Sequence, residues 1–128
     1  MEYYFSKTIN ETFDNTILKV TEALKAEGFG ILTEIDVKAT LKNKLDADFY
    51  NYKILGACNP PFAYKALLAE DKIGIMLPCN VIIQEKVEGQ VEVSAVDPVA
   101  SMLSIENKDL QSIANEIRTR LKKVIEYL

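Results

Sequence analysis

The chain contains no histidine among its 128 residues. Histidine is the side chain whose ordinary titration range spans neutral pH, so imidazole acid–base catalysis, Ser-His triads and Cys-His dyads are all excluded. Cysteine is scarce: Cys58 and Cys79 are the two present. Two are too few for a secretory disulfide framework, and reduced thiols are the expected state. No apolar run approaches the roughly 20 residues of a membrane span. The stretch from Met1 to Ser6 has no basic region ahead of an apolar one, so no leader is expected and the expected compartment is cytoplasmic. Positive charge is also in deficit. Fifteen Lys and Arg stand against 19 Asp and Glu, a net charge of −4, without the positive field on which nonspecific nucleic-acid binding relies. A glycine-rich phosphate loop is missing too, because Gly28-Phe29-Gly30 follows a helical pattern rather than a strand. Neither nucleic acid nor membrane is an expected partner.

What remains is enough for one domain, residues 1–128. The chain is 48% hydrophobic and 27% charged, an ordinary balance for a globular protein that can bury its own core. Tyr3 to Lys7 is short and aromatic and predicts an opening strand. Phe13, Ile17, Val20 and Leu24 then fall at helical spacing, with Thr8 and Glu11 as a capping box, Asn10 as a rival cap, and Gly28 as the stop. From Phe29 to Lys38 the pattern alternates with period 2, which puts Ile31, Thr33 and Ile35 on one face and Glu34 and Asp36 on the other. Ala39 to Leu45 reads as a helical turn.

Phe49 to Cys58 predicts an internal strand that stops at Asn59-Pro60, an N-cap followed by a proline at the first helical position. A short helix follows from Phe62 to Glu70. Ile73 to Val87 reads as a long strand interrupted at Pro78, which marks an edge, a bulge or a break because proline cannot donate to the ladder. Glu88-Gly89 signals a hairpin into Val91, Val93 and Ala95. The chain closes on a long helix from about Asn107, with Leu110, Ile113, Ala114, Ile117, Leu121 and Val124 forming one stripe. The predicted fold is α+β: two layers, a mostly antiparallel sheet with two main helices on one face, and small helices in the connections.

The feature most suggestive of chemistry is a near mirror image: Cys58-Asn59-Pro60 and Pro78-Cys79-Asn80. Together with Leu55-Gly56-Ala57 ahead of the first motif, Gly74 to Leu77 ahead of the second, and the Asp97-Pro98 pair, these motifs resemble the domain-of-unknown-function 302 family. The likeness runs over nearly the whole chain. It implies a two-layer, TBP-like α+β fold, pairing into a homodimer, and no established activity. It implies nothing about DNA, because function lives in sites rather than folds.

If the two motif strands are neighbours, Cys58, Asn59, Cys79 and Asn80 line one pocket, with Asp36 or Asp97 as carboxylates beside it. Cys58 sits next to a helix N-terminus, which favours a thiolate, whereas Cys79 lies in an apolar run. Three readings follow. The first is a binding module for a small ligand, a sulfur species or a soft metal such as Cu(I) held by two thiolates. The second is a thiol redox or transfer enzyme in which one cysteine attacks and the other resolves. The third is an interaction domain whose cysteines only fill the core, as free cysteine often does. No cofactor is specified. Metal ligands for a tetrahedral zinc site are lacking, since two oxygen donors beside two thiolates would be unusual. Other clusters have ordinary explanations. Glu34 and Asp36 suit a solvated strand face, Arg118 to Lys123 suits a helix C-terminus, and Tyr50, Tyr52, Phe62 and Tyr64 suit packing.

Overall fold

The computed structural model describes residues 2–128. Five strands, β1 (Tyr4–Asn10), β2 (Gly30–Asp36), β3 (Asn51–Cys58), β4 (Cys79–Val87) and β5 (Gln90–Val96), form one sheet in the order β1-β5-β4-β3-β2. Every neighbouring pair is antiparallel. Helix α1 (Phe13–Ala26) and the long C-terminal α5 (Lys108–Glu126) lie on one face; α2 (Val37–Leu45), α3 (Pro60–Ala69) and α4 (Pro98–Ser101) are the short helices in the connections. The α+β architecture expected from the sequence is thus the one observed.

The amphipathic stripes explain the layering. Val20 and Leu24 of α1 and Leu121 and Val124 of α5 meet Leu55, Val81, Ile83, Val91, Val93 and Ala95 of the sheet, all fully buried. A second, smaller cluster of Ala66, Ile73, Met102, Leu110 and Ala114 lies where α3 packs on α5. Helix α5 starts at about Asn107 as expected, and Asn107 caps it, its Oδ1 accepting from the Asp109 and Leu110 amides. Gly28 exits α1 at φ 87° and Gly89 turns the β4–β5 hairpin at φ 83°.

Several expectations are corrected. The cap of α1 is Thr12, whose side chain accepts from the Asn15 amide, so β1 runs on through Thr8 and Asn10. The long strand from Ile73 does not form. Asp71–Met76 is a 3-10 helix, and β4 begins only after Pro78. Of the alternatives at Pro78, the break is what occurs: β4 lies inside the sheet, and its edges are β1 and β2. A bulge at Leu32 interrupts β2, between Ile31 opposite Ala57 and Thr33 opposite Gly56. It moves Ile35 onto the face away from the helices and Glu34 onto the other, where it pairs with Lys53 at 2.6 Å. Ile31 and Ile35 therefore stand on opposite faces.

Pro78 has a second role. A Cβ built on Gly56 would collide with Thr33 Oγ1 and reach 2.7 Å from Pro78 Cγ. The absence of a side chain at Gly56 therefore lets Pro78 close over β3 directly before Cys79, as glycine in a strand often permits close approach. Gly56→Ala is expected to destabilise the protein by about 1–3 kcal/mol, because the proline ring has little freedom to yield. A lowered urea midpoint at unchanged m-value would show it; an unaltered midpoint would mean that Thr33 rotation relieves the clash.

Candidate functional site

Cys58 is the last residue of β3 and Cys79 the first of β4. The register places Ala57 opposite Cys79, so the two cysteines come to the same end of adjacent strands. There a pocket of about 290 Å³ opens at the seam between the two core clusters. Its buried walls are Ala57, Cys79, Ala66, Met102, Leu110, Ala114 and Ile117, and the exposed Leu32, Leu67 and Gly74 frame its mouth. Cys58, half-buried, and Asn59 also line it. Both cysteines are free thiols.

The two thiols are not equivalent. Burial pushes Cys79 from 9.0 up to about 11, and charge on the neighbouring Cys58 adds to the rise. Cys79 is therefore a neutral thiol at physiological pH. Asn59 occupies the N-cap position of α3, but its side chain makes no capping bond. Its Nδ2 donates instead to Glu27 O, at 3.2 Å, in the C-terminal turn of α1. Arg120 Nη1 reaches the same carbonyl at 3.2 Å, and its guanidinium carbon stands 5.1 Å from the centroid of the Phe62 ring. The Cys-Asn-Pro motif thus ties the end of β3 to α1 as well as starting α3.

Three of the sequence-derived candidates lie elsewhere. Asn80 is exposed on the opposite sheet face, because successive strand residues point to opposite sides and Cys79 points inward. Asp36 caps α2, accepting from the Ala39 amide at 2.9 Å. Asp97 is buried and caps α4 through the Val99 amide, while its other oxygen pairs with Arg118 at 3.1 Å. Arg118 in turn stacks over Phe5 at 5.3 Å. Both aspartates are therefore structural. Sequence reasoning missed the apolar wall supplied by Phe29, Leu67, Met102 and Ile113, which lie far apart in the chain with no local pattern to link them. Among the described residues, no group of three His, Cys, Asp or Glu side chains stands ready to hold a metal.

This geometry defines a class: an open-faced α+β sandwich whose two strand-end thiols share an apolar pocket. The family model described as "Domain of unknown function DUF302" matches residues 5–128, and the chain belongs to that family. It is similar in structure to an uncharacterized conserved DUF302 protein from Bacillus stearothermophilus, with a TM-score of 0.90 and 27% sequence identity over 98% of each chain. No curated protein matches it.

Proposed function

We propose that the protein is a small binding module that holds a small molecule in the pocket beside Cys58 and Cys79. The observation that supports this is the pocket itself: an open cleft of about 290 Å³ at the junction of the two core clusters, lined almost wholly by hydrocarbon. Apolar concave sites with a few convergent polar groups are the usual form of a ligand site. A redox or transfer enzyme using the same thiols is the second reading, favoured by their meeting at one strand end. Two free thiols suit the reducing cytoplasm. The TBP-like likeness brings no DNA-binding reading to a chain of net charge −4.

Intact mass of the purified protein separates the readings. A mass present in native spray and lost on denaturation is the result expected of a ligand carrier. Oxidant-dependent loss of two hydrogens supports the redox reading. Bare protein under both conditions, with both thiols silent until denaturation, favours cysteines that only fill the core.

We also propose a homodimer, formed through the sheet face that no main helix covers. Ile35, Ile54 and Ile82 stand in one row across β2, β3 and β4 on that face, and Tyr4 pairs with Val96 beyond them. Ile35 is 47% exposed and Tyr4 38%. Five strands about 4.8 Å apart and roughly seven residues long outline about 550 Å², comparable with the ~800 Å² each partner contributes to a standard interface. A second copy supplies a matching apolar row about a two-fold axis. Light scattering at micromolar protein should give the dimer mass, and Ile82→Glu should give the monomer with unchanged circular dichroism. A monomeric wild type would contradict this.

A further inference from the structure

We infer that the pocket at Cys58 and Cys79 selects an uncharged, largely apolar small molecule, such as a medium-chain alcohol, and rejects anions and soft metal ions. This rests on the binding reading above and narrows it to a ligand class. The lining carries no Lys, Arg, Asp or Glu; Asn59 and the two cysteines are its non-hydrocarbon side chains.

Separate features disfavour each way of binding a charge at this site. The helix that starts at the pocket, α3, begins Pro60-Pro61, so its first two positions have no N–H to offer an anion. Among the neighbouring cations, Arg118 pairs with Asp97, and Arg120 stands over Phe62, donates to the Glu27 carbonyl and lies 3.5 Å from Glu116, so neither belongs to the lining. A carboxylate drawn into the apolar wall would be left unpaired, at a cost far above that of a neutral group. A Cu(I) ion held by two sulfurs has to displace both thiol protons by its own charge. Cys79 sits 5% exposed among hydrocarbon, with no neighbouring cation in the lining to help it ionise.

The affirmative features agree. The volume is roughly twice that of the ~150 Å³ apolar cavity known to take benzene, and so suits a chain of about eight carbons. Asn59 is 6% exposed, and its Nδ2 is spent on Glu27.

The test is a methyl NMR titration of the full chain with three separate probes at about pH 8: 1-octanol, octanoate, and Cu(I) alone. 1-Octanol should shift the methyls of Ala63, Ala66, Ala114 and Ile117 and leave Ile54 and Ile82, on the opposite sheet face, unmoved. Octanoate, ionised at that pH, should bind more than about tenfold more weakly. Octanoate binding as tightly as octanol, or Cu(I) moving the same methyls when octanol does not, would overturn the ligand class while leaving the pocket reading intact. No shift from any probe would overturn both.

Discussion

Iodoacetamide added to the native protein at about pH 8 should alkylate Cys58 and leave Cys79 almost untouched, because the thiolate is the reacting species. Cys79 is shifted from 9.0 to about 11, which reduces its thiolate at that pH by roughly a hundredfold relative to an unshifted thiol. Access acts in the same direction. Cys79 faces inward among Ala57, Val81 and the helices, whereas Cys58 ends its strand half-buried at the pocket. Residue-resolved peptide mass spectrometry across pH, with Cys58→Ser and Cys79→Ser as controls, would read the two rates. Equal labelling of the two, or labelling of both only in denaturant, would contradict the unequal thiol pair.

Alkaline pH should expose the same group through stability. The folded protein keeps the Cys79 proton to about pH 11, while the unfolded chain releases it near 9.0. Below the unfolded value both states are protonated, and the contribution is present in full. As pH rises through that window the unfolded state ionises first, so the contribution declines and is lost at the folded value. A two-unit difference corresponds to about 2–3 kcal/mol. Cys79→Ala leaves a small cavity and lowers stability at neutral pH. Its urea unfolding free energy should nevertheless fall less steeply with pH than that of the wild type. The gap between the two chains should therefore narrow by about 2–3 kcal/mol between pH 9 and 11. Parallel curves would show that Cys79 ionises as readily folded as unfolded.

The sequence was most informative where one local rule acted alone. The stripes of α1 and α5, the start of α5 near Asn107, the Gly28 exit and the Glu88-Gly89 turn each follow from spacing or backbone freedom, and each is observed. Period-2 reading failed where a competing geometry intervened. Ile73 and Ile75 alternate as in a strand, yet one is fully buried and the other 81% exposed within a 3-10 helix. Leu32 alternates correctly too, but the bulge beside it reverses every later face of β2.

Part of the site was legible and part was overlooked. Cys58 and Cys79 were grouped because their motifs mirror one another, and strand register brings them to one end. Asn80 falls on the outer face because its strand neighbour Cys79 faces inward, an orientation that only the register reveals. Asp97-Pro98 carried the signature of a helix start, a cap followed by proline, and that is its role in α4. The apolar wall carried no such signature. It is assembled by packing residues from just before β2, from α3, from just after α4 and from α5, which no local pattern connects.

The central claim is that a small molecule occupies the space next to Cys58, and the most direct measurement is the Cys58 alkylation rate with and without saturating 1-octanol. Cys58→Ser serves as the labelling blank, and N-acetylcysteine reports any effect of the alcohol on the reagent. Occupancy of the pocket should slow Cys58 labelling severalfold while the free thiol reacts at an unchanged rate. A Cys58 rate unaffected by octanol would contradict a binding site at this end of the sheet.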